Sequence, residues 1–73
     1  MQMSRSSVRL WRARRRHNHL DATLLRRRGA WMVAYSRDGR ALVAREFADE
    51  GSAREDAAGR LRELQRAGWV VHW

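Results

Sequence analysis

Residues 30–47 read AWMVAYSRDGRALVAREF, and this stretch decides the fold. Its first half is rich in aromatic and β-branched side chains, which suit a pleated, half-buried surface. Asp38-Gly39 follows, a pair that tolerates the two positive φ values of a tight hairpin turn. Residues 40–47 then return as a second strand. With Asp38 and Gly39 as the loop, Tyr35 faces Leu42, Val33 faces Ala44 and Trp31 faces Glu46.

Toward the N-terminus, Arg27, Arg28 and Gly29 supply another turn, with Gly29 free to take positive φ. Residues 19–26 before it read as a further strand, with Leu24 beside Val33 and Ala22 beside Tyr35. One sheet face then collects Leu20, Ala22, Leu24, Trp31, Val33, Tyr35, Leu42 and Ala44, and is the expected core face. The other collects Asp21, Thr23, Leu25, Met32, Ala34, Ala41, Val43, Arg45 and Phe47. A slip of one residue would exchange the two faces.

Toward the C-terminus, Ser52 reads as a helix N-cap, with Glu55 three residues on completing a capping box. Ala53, Ala57, Leu61, Leu64 and Gly68 then recur at the spacing of one helical stripe. Asp56 and Arg60 form a favourable i, i+4 pair, and Gly68 suits a C-terminal cap. Residues 69–73, WVVHW, follow as either a short fourth strand or a clamp. Four Trp in 73 residues is a high density. Each ring can bury about 200 Å², so Trp31, Trp69 and Trp73 are expected to carry much of the core. That core is thin, because a chain of this size buries only about 60 % of its unfolded surface.

Charge is placed unevenly. Sixteen Arg and no Lys stand against eight acids, a formal net charge of +8. Residues 1–18 hold six of those Arg and no acid, so they read as a flexible basic arm ahead of a domain spanning 19–73. The first few residues are expected to be disordered. The arm contains the string SRSSVRLWRARRRHNH. Guanidinium groups make bidentate hydrogen bonds to phosphate, and an indole stacks on any base. The candidate nucleic-acid-binding residues are therefore Arg9, Trp11, Arg12, Arg14, Arg15 and Arg16, with Arg45 orienting the sheet.

Other chemistries lack their residues. There is no Cys, which removes disulfides, thiol nucleophiles and Cys-ligated zinc. His17, His19 and Asp21 alternate like ligands, but further ligands are missing, and no metal or cofactor is expected. None of the Ser has a His and an acid in supporting positions, and no GxxxxGK[ST] loop exists. Glu50, Glu55 and Asp56 suit the dipole at the helix start, so the chain reads as a non-enzyme. Apolar runs are too short to cross a membrane, the N-terminus lacks a secretory apolar region, and a cytoplasmic location is expected.

The WRARRR string resembles the arginine-rich RNA-binding peptides of some viral and phage proteins, which fold as helices on binding. A basic segment, three antiparallel strands and a C-terminal helix also resemble the AP2 and phage-integrase arm-type DNA-binding domains. That resemblance implies base reading by strand residues facing away from the helix, here Thr23, Met32, Arg45 and Arg27. The same element order is similar to the double-stranded RNA-binding domain, whose last helix starts with a basic cluster. Here Arg54 is the only base near that start, beside Glu55 and Asp56.

The expected architecture is α+β: a three-stranded antiparallel sheet with one C-terminal helix packed on one face, a short fourth strand or clamp, and the flexible arm. The expected function is non-catalytic binding of nucleic acid, DNA or RNA, through the arm. The alternative is a small bacterial or phage-type protein-binding module, an inhibitor or adaptor. It would use the second sheet face, holding Leu25, Met32, Val43 and Phe47, against an acidic or apolar partner or as a homodimer.

Overall fold

Side chains alternate between buried and exposed through β1 (Ser7–Arg15), β2 (Asn18–Arg27) and β3 (Ala30–Arg37), as the two-residue period of a half-buried sheet requires. β4 (Arg40–Phe47) is exposed along almost its whole length. Helix α1 (Glu50–Arg66) and a two-residue strand, β5 (Val70–Val71), complete the chain. These elements come from a computed structural model that describes residues 7–72. The strands are antiparallel in the order β4-β3-β2-β1-β5. The protein is therefore α+β, an antiparallel sheet of four long strands and one short one with a single C-terminal helix.

β1 corrects the largest expectation. Ser7–Arg15 is a sheet strand, not part of a flexible arm, and the sheet is not three-stranded. Its string of guanidinium charge hides an amphipathic alternation. Trp11 and Ala13 point inward and are buried, while Arg12, half-buried, and Arg14, exposed, take the outward positions between and after them. Residues 1–6 lie outside the described residues, as does the disorder expected there.

Three tight turns connect the meander. Arg28 and Gly29, at φ 52° and 80°, and Asp38 and Gly39, at 50° and 83°, are left-handed at both loop positions. That is the geometry that matches the twist of the strands they join. Arg16 is also left-handed, at φ 58°. Asp38 does more than turn the chain, because its Oδ1 accepts the His19 backbone N–H at 2.9 Å.

The β3–β4 register follows expectation only at the turn. Arg37 pairs with Arg40 and Ser36 with Ala41, but Tyr35 then pairs with Val43, because a bulge at Leu42 inserts one residue. One extra residue exchanges the faces of the strand beyond it. Val43, Arg45 and Phe47 therefore lie on the helix side, and Ala44 and Glu46 on the open side. The exchange sets Phe47 opposite Trp31 and keeps the Glu46 carboxylate out of the core. Leu42, expected in the core, is 58 % exposed.

The helix is capped three residues before Ser52, the expected N-cap. Asp49 is its N-cap, with extended backbone and its Oδ1 accepting the Ser52 N–H at 2.7 Å. At the other end Gly68, at φ 99°, closes the helix. The Gly68 N–H donates to Gln65 O and the Trp69 N–H to Leu64 O, the pair of bonds that satisfies a terminating helix. The chain then turns back, so β5 pairs with β1 rather than with the far edge.

The core consists of Trp11, Ala13, Ala22, Leu24, Val33 and Tyr35 under Ala53 and Ala57 of the helix. Alanines on both layers let helix and sheet approach closely, and the Trp11 indole fills the space between. Its Nε1–H donates to Ala57 O at 2.8 Å, and its ring lies 6.1 Å from that of Tyr35. Trp31 and Trp69 pack at the rim of this cluster. Trp11 is thus the central indole, and Trp73 lies outside the described residues.

Candidate nucleic-acid interface

Cross-strand partners share a sheet face, so the pairing of β1 assigns its arginines. Arg9 pairs with Thr23, Arg12 with Asp21 and Arg14 with His19, all on the face away from the helix. The strand would not ordinarily do this, since Arg9 and Arg12 are three residues apart. A bulge between Arg9 and Trp11 absorbs the odd residue and returns Arg9 to the row. Arg12 and Arg14 follow at the two-residue repeat of a strand, about 7 Å. Arg27 lies on the same face near the far end of β2, paired with Ala30.

These cations are free of internal partners. Among the described residues, Arg9, Arg12, Arg14, Arg16, Arg27 and Arg28 have no carboxylate within 4.0 Å. Asp21 sits opposite Arg12 yet makes no ion pair with it. The Nε of Arg12 is buried without any hydrogen-bond partner. The helix side differs: Arg45, Arg54, Arg60 and Arg62 face Asp56, Glu50, Glu63 and Glu55 respectively. Four arginines around the helix are thus paired, although Arg15, Arg26 and Arg66 on that side have no carboxylate of the described residues within 4.0 Å either; on the open face the whole row is without one.

The residues expected to bind nucleic acid are separated by this arrangement. Arg9, Arg12 and Arg14 are brought together in one row. Arg16 lies exposed in the β1–β2 turn. Arg15 falls on the helix side, where its Nε would stand 3.6 Å from a Cβ placed on Gly68. Trp11 is 4 % exposed and hydrogen-bonded to the helix, so it cannot stack on a base without leaving the core. Arg45 is turned to the helix side by the Leu42 bulge and lies 3.9 Å from Asp56. The WRARR segment is strand, not the helix that arginine-rich peptides form.

Sequence reasoning also missed the pairing of β1 with β5. It brings His72 to the open face, its ring centroid 5.9 Å from that of His19. The two are 53 residues apart in sequence (72 − 19), so no local pattern announces the contact. Among the described residues no group of three or more His, Asp or Glu could hold a metal ion. No helix there is long and apolar enough to cross a membrane.

Beneath the helix, Tyr35 donates its hydroxyl to Asp56 Oδ2 at 2.7 Å. Burial and the adjacent Asp56 carboxylate raise its pKa well above the usual tyrosine value. Arg60 and Arg45 oppose that shift without cancelling it. The unfolded chain releases this proton near pH 10 while the folded chain retains it, so stability falls as pH rises above about 10. Tyr35 is the only tyrosine of the chain, so an absorbance titration reads it alone. The phenolate signal is expected at a higher pH than an exposed tyrosine would give. A midpoint near 10 with the fold intact would contradict the contact.

No family model matches the chain, and no curated protein and no solved structure matches it. Ser7–Arg15 is a strand where a double-stranded RNA-binding domain has its first helix, and the sheet exceeds the three strands of the AP2 and integrase arm types.

Proposed function

We propose that this is a non-catalytic, cytoplasmic nucleic-acid-binding protein whose open sheet face, rather than a flexible arm, grips the phosphate backbone. One observation supports the reading above others: Arg9, Arg12 and Arg14 form a row on β1 with no carboxylate of the described residues within 4.0 Å. Such a row carries its full charge to a ligand, and charge-assisted hydrogen bonds to phosphate are the strong ones. Arg16 and Arg28 extend it from the turns at either end of β2, and Arg27 joins it on the open face near that strand's end. The test is anisotropy of labelled DNA and RNA oligonucleotides titrated with the wild type, Arg9→Gln/Arg14→Gln and Arg45→Gln. The first variant is expected to weaken binding at least tenfold, about 1.4 kcal/mol, and the second to leave it unchanged. Equal losses in both variants would refute the open-face assignment.

A second reading, a protein-binding inhibitor or adaptor, is favoured by a different feature. The exposed edge β4 flanks a groove of about 300 Å³ whose mainly apolar lining, including Leu20, Leu42, Val43 and Leu64, also takes in Asp21 and Arg60. Leu42 and Val43 are more than half exposed there. A partner on this groove, including a second copy of the chain, would be lost on Val43→Glu and would depend little on salt.

A further inference from the structure

We infer that the open face takes a nucleic-acid duplex by its phosphates and reads no base, an inference that rests on the nucleic-acid reading above. Single strands are held by stacking bases on exposed aromatic rings. Among the described residues every indole, phenol and phenyl ring lies on the other side of the sheet. Trp11 and Tyr35 are buried in the core, and Trp31, Phe47 and Trp69 pack against it. The rings on the open face are the imidazoles of His19 and His72, both half-buried and set against each other.

Between the arginine row and the β4 edge the strongest base readers are scarce. The most discriminating contacts in the major groove are bidentate ones from Arg, Asn or Gln. Here Arg27, at the end of β2, is the one such side chain beyond the row, and the central positions are Thr23, Leu25, Met32, Ala34 and Ser36, with Asp21 and Glu46 repelling phosphate beside them. Width points the same way. Five strands at about 4.8 Å separation span about 19 Å, more than the major groove width of about 12 Å. The face therefore lies across the backbone ridges and does not enter a groove. Contacts of that kind position a protein without selecting sequence.

The experiment uses the full chain with labelled duplex DNA of two unrelated sequences, duplex RNA, and the corresponding single strands at one ionic strength. Duplexes are expected to bind at least about tenfold more tightly than single strands, since they present more phosphate and need no stacking. The two DNA sequences are expected to agree within about twofold, because no base contact distinguishes them. Arg9→Gln/Arg14→Gln should abolish the duplex preference, while Arg54→Gln/Arg62→Gln, an equal loss of charge on the helix, should retain it. Tightest binding by DNA or by RNA identifies which duplex is the source of the phosphates. Single strands bound as tightly as duplexes, or a marked preference between the two sequences, would overturn this inference and leave nucleic-acid binding standing. No binding to any of the probes would overturn both.

Discussion

Trp11→Ala is expected to remove a large fraction of the chain's stability, about 3–5 kcal/mol, while leaving nucleic-acid binding by the folded fraction unchanged. The indole is the largest side chain of the core, 4 % exposed, and spans the gap between β1 and α1. Removing a buried Trp or Phe costs about 3–5 kcal/mol through lost transfer energy and the cavity left behind. At about 0.05–0.15 kcal/mol per residue, a chain of 73 residues has about 4–11 kcal/mol in total. Few small side chains are available to collapse into the hole, since Ala13, Ala22, Ala53 and Ala57 around it carry only methyl groups. Trp11→Phe keeps an aromatic face toward Tyr35 but loses the 2.8 Å bond to Ala57 O, and is expected to cost about 1–3 kcal/mol. Urea titration followed by far-ultraviolet circular dichroism measures both. A folded Trp11→Ala protein with an unchanged midpoint, deficient only in nucleic-acid binding, would restore Trp11 to the surface and refute this fold for β1.

Neutralising the whole row, Arg9→Gln/Arg12→Gln/Arg14→Gln, is expected to have the opposite profile. Arg9 and Arg14 are exposed, Arg12 is half-buried, and none of the three makes an ion pair with a described residue, so the fold should persist. Relief of like-charge crowding on one strand and removal of the buried, unpartnered Arg12 Nε–H both favour the neutral chain. Affinity for a duplex should fall on the order of 100-fold near physiological salt, about 2.7 kcal/mol spread over three lost phosphate contacts. The remaining affinity comes from Arg16, Arg27 and Arg28. Thermal unfolding together with anisotropy separates the two effects, and a variant that unfolds with wild-type affinity retained in its folded fraction would contradict the assignment.

These two substitutions lie within one short segment, and they show what the sequence could and could not reveal. The turns at Arg28-Gly29 and Asp38-Gly39, the β2–β3 register and the helix stripe through Ala53 and Ala57 were legible because each depends on neighbouring residues. The strand in WRAR was equally local, but the density of like charge obscured its two-residue alternation. Composition suggested an unfolded arm where pattern indicated a sheet. The bulges at Leu10 and Leu42 were not legible, since either strand would pair acceptably without them up to the point where a distant group decides. At Leu42 that group is Asp56, which receives Arg45, together with Trp31, which receives Phe47. The approach of β5 to β1 depends on the helix crossing back over the sheet, and no short stretch of sequence encodes it.

The same distinction explains the candidate site. Arginine composition drew attention to residues 9–16, and Arg9, Arg12 and Arg14 among them do share a face. Separating Arg12 and Arg14 from Arg15, and all of them from Trp11, requires knowing that the segment is extended. Once it is, the alternation alone assigns one set to solvent and the other to the helix.

The most direct test of the central claim is the salt dependence of duplex binding by the wild type and by the triple variant. Each phosphate contact contributes a slope of about −0.9 to the plot of log K against log salt concentration for B-form DNA. The open row predicts a steep wild-type slope that becomes shallower by about 2.7 when Arg9, Arg12 and Arg14 are neutralised. Parallel slopes for the two proteins, or a wild-type slope near zero, would show that this face of the sheet is not where phosphate is held.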